Sequence, residues 1–206
     1  MTGIKPKKVK TKRKPITLTS LKKIIKASEE CLSEGENKVF KTIVTLLFFG
    51  FFRISEVLGD KGNGISHINR RDVRLRGDKL TIKLKSYKHC KGKNAKVNIK
   101  RQKDATICPV KAMHEYIQEV KPKQCLFKNK FGSPLSKNSF SKLLKQCSIK
   151  AGYNNPPFTS HCFRIGAATY ASKIKSMGRW KSGAFMGYLR KADALLTKKS
   201  KTRKQI

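Results

Sequence analysis

The longest apolar run in the chain extends from Ile43 to Phe52, and eight of its ten residues are large aliphatic or aromatic side chains. A membrane span needs roughly 20 such residues, and this run is followed at once by Arg53 and then by Glu56. The wider segment from Asn37 to Leu58 is apolar on almost every side of a helix. Such a helix lies in the middle of a domain. The other elements are therefore expected to pack around it.

Apolar and polar residues alternate in the next part of the chain, as they do in strands with one buried face. Gly77-Asp78 suits a tight hairpin turn because glycine readily adopts a positive φ, and the polar segment 87–94 is a longer connection. These features predict a small three-stranded antiparallel sheet. Its inward residues are Val73 and Leu75, then Leu80, Ile82 and Leu84, then Val97 and Ile99.

Helical patterns occupy the rest of the chain. One helix is predicted from Thr19, ended by Gly35, and another from Pro109, which suits a first helical position. Two more are predicted from Ser136 to Gly152 and from Ser160 onward, with Ser160 as the cap. Helices, a sheet and further helices in this order predict one α+β domain that is mostly helical.

The charge of the chain limits the classes of partner that it is expected to bind. Lysine and arginine number 49 against 12 acidic residues, a formal net charge of +37. Repulsion on this scale destabilises a fold unless a polyanion neutralises it, so nucleic acid is the expected partner. Composition leaves open a ribosomal or histone-like binder and an anionic membrane surface. Residues 1–17 are expected to be a disordered basic arm, 18–190 the domain and 191–206 a basic tail.

The cysteines and the N-terminus bear on location. The six cysteines include no CxxC pair, so a zinc site is not expected. No apolar segment follows the lysine-rich N-terminus, so no signal peptide is expected. An intracellular, reducing setting follows. The basic arm is either a nuclear localisation signal, if the source is eukaryotic, or a clamp for phosphates.

Arg53 follows two phenylalanines in the most apolar helix that the sequence predicts. A guanidinium there needs a partner, because a buried and unpaired charge is costly. One interpretation is an ordinary pair with Glu56, three residues later. The other is an arginine that Glu56 steadies while it points into a phosphate site.

His161 and Arg164 form the second feature, since a spacing of three residues places both on one helical face, where both can donate to one anion. A surface histidine beside an arginine would fit equally well. Trp180 is the only tryptophan, and Tyr188 lies three residues after Phe185. Taken singly, both are expected to be packing residues.

Their order along the chain changes this interpretation. Five motifs follow one another along the chain. They are Arg53-Ile54-Ser55-Glu56-Val57-Leu58, a lysine-rich hairpin, His161-Cys162-Phe163-Arg164, Gly178-Arg179-Trp180 and Tyr188-Leu189-Arg190. This set resembles the catalytic domain of the tyrosine recombinases, or phage integrases, over residues 17 to 190. The amino-acid sequences around His161 and Tyr188 are most similar to those of the recombinases of DIRS-like retroelements and Cryptons.

The resemblance implies an enzyme that cleaves and rejoins double-stranded DNA without ATP, metal or another cofactor. It implies that Tyr188 forms a 3′-phosphotyrosyl bond and that Arg53, Arg164 and Trp180 donate to the phosphate. His161 is implied either to donate to the phosphate or to assist proton movement. It also implies a hairpin lysine as the acid for the leaving 5′ oxygen. Lys88 best matches that position. Lys91 and Lys93 in the same loop are either alternatives to Lys88 or phosphate contacts, and Arg179 is implied to be a DNA contact. A homo-oligomer on DNA is implied, with no membrane and no small-molecule substrate.

Two departures from the family pattern keep other hypotheses open. Recombinases normally carry a helical core-binding domain before the catalytic one, whereas about seventeen residues precede the expected domain here. Arg164 and Trp180 are sixteen residues apart, fewer than in relatives. The alternatives are a decayed or domesticated DNA-binding module of the same fold, a relaxing enzyme similar to type IB topoisomerases and a ribosomal-type binder, which would explain neither Arg53 nor the ordered set.

Overall fold

A computed structural model describes residues 14–60, 62, 64–85, 95–122, 124–154 and 157–173 of the chain. A buried helix, α2 (Glu34–Phe49), lies at its centre and begins after Ser33, whose hydroxyl caps the helix. Ten of its residues are buried, and it packs against three other helices, so the prediction of a central apolar helix is confirmed. Among the described residues, no helix combines the length and apolarity that a membrane crossing requires.

In the described part of the chain, five further α-helices surround α2 or extend from it. A reciprocal pair of hydrogen bonds between Thr17 and Ser20 caps the first of them. The first and fifth helices pack together, and α2 also packs against the first, fourth and sixth. The hydroxyl of Thr42 on α2 donates to the carbonyl of Ala112 at 3.1 Å. The bounds are α1 Leu18–Cys31, α3 Ile54–Leu58, α4 Pro109–Ile117, α5 Lys137–Lys150 and α6 Ser160–Lys173.

The sheet has three antiparallel strands in the order β1 (Val73–Arg76), β2 (Lys79–Leu84) and β3 (Ala95–Lys100). Gly77, with a φ of 54°, turns the chain between β1 and β2 as predicted. The inward residues of the strands join the hydrophobic core, and β3 and β2 contact α4. The mostly helical α+β fold with a small antiparallel sheet is thus confirmed.

Two predicted helix ends are wrong. The first helix ends at Cys31, and Gly35 instead lies in the first turn of α2, where the Ser33 cap starts a new helix. The central helix ends at Phe49 and does not continue to Leu58. A Cβ on Gly50 would collide with the ring of Phe52 and lie 2.8 Å from the Leu46 carbonyl oxygen. Glycine at this position therefore lets the chain turn sharply, which the apolar pattern alone does not reveal.

The folded part of the chain begins before residue 18. Ile16 is buried, and its backbone N–H donates to the carbonyl of Cys162 on α6 at 3.1 Å. Gly166, one turn further along α6, lies against the same residue, so that a Cβ there would collide with the Ile16 carbonyl. The expected disordered arm of residues 1–17 therefore does not extend to Ile16, because the side chain of Ile16 completes the core beside α6.

We expect Gly166→Ala to lower the unfolding free energy by about 1–3 kcal/mol, because overpacking against backbone cannot be relieved by a side-chain rotation. In a domain of this size that loss lowers the Tm by roughly 2–4 °C per kcal/mol. Gly35→Ala is the matched control, since it lies in a helix with nothing within 4 Å of the added Cβ. We expect the control to be neutral or to stabilise by up to about 0.5 kcal/mol. Equal melting temperatures for the two variants would contradict the close contact of α6 with Ile16.

Candidate functional site

The candidate site is built on the turn between α2 and α3. Phe51 in this turn has a φ of 54°, in the left-handed region that residues other than glycine seldom adopt. Both Phe51 and Phe52 are buried, so their rings hold the turn in place. Strained backbone of this kind costs on the order of 1–3 kcal/mol and concentrates at functional sites. The turn directs one backbone carbonyl toward α6 and delivers Arg53 to the start of α3.

Arg164 on α6 receives that carbonyl. Its Nη1 donates to the Phe51 oxygen at 2.6 Å, and the residue is only 8% exposed. The bond joins residues that are 113 positions apart in the chain. A hydrogen bond that involves an ionised group is stronger than a neutral one, so it fixes the guanidinium firmly. Arg164 is thereby positioned against the turn that carries Arg53.

Glu56 holds Arg53 at two points. Its Oε2 accepts the backbone N–H of Arg53 at 2.8 Å, and its Oε1 accepts a guanidinium N–H from Nη1 at 3.1 Å. Only 1% of the Glu56 side chain is exposed, against 33% for Arg53. The predicted pair between the two residues is confirmed, but it spans the start of α3 and does not lie within a long helix. The Arg53 side chain is one-third exposed and its guanidinium has five N–H donors, so it can still donate to an anion.

His161 lies in the first turn of α6, one turn before Arg164, and is half-buried. Ser160 is the first residue of this helix and not the cap that the sequence predicts. The predicted helix does contain both residues, so their side chains lie on one helical face. The structure thus anchors Arg164 on the backbone of Phe51, two residues before Arg53, and places His161 on the same helix face as Arg164. Planar guanidinium groups match the geometry of a phosphate, so this arrangement suits binding of a phosphodiester.

The other predicted site residues lie outside the described residues. The hairpin lysines Lys88, Lys91 and Lys93 belong to segment 86–94, and Arg179, Trp180 and Tyr188 belong to segment 174–206. Their roles remain predictions from the sequence.

The sequence does not predict one functional group, the carbonyl oxygen of Phe51, which binds Arg164 two residues before Arg53. Periodicity carries no signal for it, because a phenylalanine is buried equally well in a helix and in this turn. Gly50 beside two phenylalanines was the one local hint that the helix ends there.

Solved recombinase structures share this fold. XerH site-specific recombinase, in a pre-cleavage complex with its difH substrate, matches with a TM-score of 0.60 and 19% identity over 85% of this chain and 47% of that chain. XerA recombinase matches with a TM-score of 0.63 and 18% identity over 95% of this chain and 67% of that one. A lambda integrase dimer bound to a COC′ core site matches with a TM-score of 0.60 and 16% identity over 88% of this chain and 49% of that one. The chain spans about half the length of the XerH and lambda proteins.

Sequence comparisons point the same way. None of the curated proteins matches the chain. The model of the phage integrase family matches residues 14–173, which is more than half of the 206 residues and includes Arg53, Glu56, His161 and Arg164. The chain therefore belongs to the phage integrase family, the tyrosine recombinases.

Proposed function

We propose that the protein cleaves one strand of duplex DNA and rejoins it to another, with Tyr188 as the attacking nucleophile. The observation that carries the proposal is the junction at Phe51, which fixes Arg164 directly and Arg53 through the same turn. Attack on a phosphodiester increases the charge on its non-bridging oxygens. Positively charged donors that are already held in place stabilise that charge without reorganising during the reaction.

The step balances in charge and in bonds. The Tyr188 oxygen attacks the phosphorus, a P–O bond to the tyrosine forms and the bond to the 5′ oxygen breaks. The tyrosine proton passes toward His161, and Lys88 protonates the leaving 5′ oxygen, an acid contribution worth on the order of 10²–10⁴-fold. Trp180 donates one hydrogen bond from its indole N–H to the phosphate. The new phosphotyrosyl ester retains the energy of the bond that was broken, so a 5′ hydroxyl can reverse the step.

The setting is also part of the proposal. The amino-acid sequences around His161 and Tyr188 resemble those of mobile-element recombinases, which supports recombination of a mobile genetic element. Such an element would place the protein in the nucleus of a eukaryotic host. The net charge of +37 supports a DNA partner. The lambda integrase dimer on its core site supports a homo-oligomer that assembles on DNA.

A covalent adduct tests the proposal. On nicked suicide duplexes with randomised flanks, the loss of a short strand beyond the nick traps the attached protein. We expect wild type and Tyr170→Phe to give an adduct that survives denaturing gels, and we expect Tyr188→Phe to give none. Tyr170 is a suitable control because its ring packs on Phe48 and Phe49, at centroid distances of 5.6 and 6.4 Å.

The opposite result has a definite meaning. If wild type binds these duplexes and forms no adduct, the proposed cleavage is wrong. The chain is then a DNA-binding module of the same fold, and Tyr188→Phe should leave its affinity unchanged. The short interval of sixteen residues between Arg164 and Trp180 is the feature that favours this second candidate.

A further inference from the structure

The outer face of the sheet is strongly basic. Because side chains alternate along a strand, the residues between the buried ones all point away from the core. On β2 these are Lys79, Thr81 and Lys83, and the half-buried Lys85 follows the strand. Their neighbours on β1 and β3 are exposed as well, and the two strands contribute Arg74, Arg76, Lys96, Asn98 and Lys100.

The register of the strands places like charges opposite each other. Arg76 pairs with Lys79, and Lys79 pairs in turn with Lys100, so that one row across all three strands is cationic. Lys83 lies opposite Lys96 in a second position. Like charges that face each other directly across strands destabilise a sheet. A fold that retains this arrangement gains stability when a polyanion occupies the face.

The same face is concave. A groove of about 580 Å³ lies over it, and the described part of the chain lines it with nine side chains, seven of which are cationic. Its one acidic lining residue, Asp72, is paired with Lys85 at 3.2 Å. The seven cations are Arg71, Arg74, Arg76, Lys79, Lys83, Lys85 and Lys96.

The dimensions and chemistry of the groove fit the backbone of a duplex. The row from Lys79 to Lys85 is about 20 Å long at roughly 3.3 Å per residue, and one DNA strand carries about six phosphates over that length of the helix axis. Among the described residues that line the groove, none is an aromatic residue on which an unpaired base could stack. The hydroxyl of Thr81 donates to the Asn98 side-chain oxygen at 2.9 Å, so these two polar groups bind each other.

We infer that the outer face of the sheet binds the phosphate backbone of duplex DNA, as a site separate from the arginine pair at the Phe51 turn. The inference rests on the proposed function for the identity of the partner. The segment that contains Lys88 follows β2 in the chain, and Lys85, which lines the groove, precedes this proposed acid by three residues. Contacts to phosphate alone add affinity and orientation without selecting a base sequence.

Salt-dependent binding tests this surface. We would measure the affinity of Lys83→Gln/Lys96→Gln for a random duplex over a range of salt concentrations, in a Tyr188→Phe background that excludes covalent attachment. Loss of two phosphate contacts lowers the slope of log K against log salt by about 1.8, and weakens binding by up to roughly 60-fold at 0.1 M salt. Lys142→Gln/Lys145→Gln removes the same charge from exposed positions on α5 and is expected to leave the slope unchanged.

An arginine double variant, the unfolding temperature and a poly-glutamate probe separate the possible causes of weaker DNA binding. Lys83→Arg/Lys96→Arg keeps both charges and is expected to keep the wild-type slope. The glutamine pair relieves a repulsion, so it should unfold at or above the wild-type temperature, and weaker binding cannot then come from unfolding. The inference is overturned if the two glutamine double variants have equal slopes, or if the sheet variant loses affinity for poly-glutamate and not for duplex DNA.

Failure of this inference differs from failure of the proposed cleavage. At saturating DNA, with Tyr188 restored, the sheet variant should still form the covalent adduct, since the sheet face contributes affinity and no chemistry. An altered slope with no adduct from wild type would support the surface and contradict the cleavage. An unaltered slope with an adduct would contradict the surface alone.

Discussion

Replacing Arg164 by lysine is expected to slow covalent attachment to DNA by roughly 10²–10³-fold at saturating protein, the effect of removing one fixed donor from a site of developing charge. Arg164 uses Nη1 to bind the Phe51 carbonyl, and its guanidinium is a planar fork of donors whose geometry matches a phosphate. A lysine has one ammonium on a flexible stem, so it cannot reproduce that fork. Its charge is retained, so affinity for the duplex should change little.

The measurement is the rate of adduct formation in a single turnover, with duplex affinity and Tm recorded for the same preparation. Arg101→Lys is the matched control, since Arg101 is exposed and its backbone N–H binds the carbonyl of Asp78. We expect the control to react at the wild-type rate. If Arg164→Lys is folded, binds DNA and reacts within about threefold of wild type, Arg164 does not act on the phosphate as proposed.

Glu56→Gln is expected to have the second large effect, on stability as well as on the reaction. The change removes the charge that neutralises Arg53 and puts an amide NH₂ where one of two accepting oxygens stood. Breaking a buried pair costs about 3–5 kcal/mol, but Arg53 is one-third exposed and water compensates part of that loss. We therefore expect a loss of about 1–3 kcal/mol in unfolding free energy.

The control for this variant is Glu30→Gln. Glu30 forms an ion pair with Lys150 at 3.4 Å in which both side chains are about half exposed. Removing an exposed pair should change stability by no more than about 0.5 kcal/mol. The adduct rate should fall for Glu56→Gln only, because Arg53 loses its anchor. Equal Tm values for the two variants would contradict the role given to Glu56.

The elements that local patterns specify were predictable from the sequence. Alternation placed the three strands in their observed positions, and Gly77 supplied the turn between the first two. Pro109 and Ser136 marked the starts of α4 and α5, because a first-turn proline and a capping hydroxyl act within one helical turn. The pair between Arg53 and Glu56 was also local, at three residues' distance.

The geometry of the site was not predictable in the same way. The bond from Arg164 to Phe51 joins distant parts of the chain, and burial of Phe51 is compatible with a helix or with the observed turn. The contact between Gly166 and Ile16 likewise depends on how α6 crosses the N-terminal segment. Tertiary packing decides both features, and hydrophobic periodicity reports only which residues are inside.

The central claim is that Tyr188 is the residue that becomes joined to DNA, and the most direct measurement is the mass of the modified peptide. Trypsin releases residues 182–190 as one peptide in which Tyr188 is the sole tyrosine, and it releases Tyr170 separately in 165–173. After nuclease digestion of the adduct, we predict a nucleotide linked through its 3′ phosphate to Tyr188 in peptide 182–190. A nucleotide on peptide 165–173 or on any other tyrosine would contradict the account.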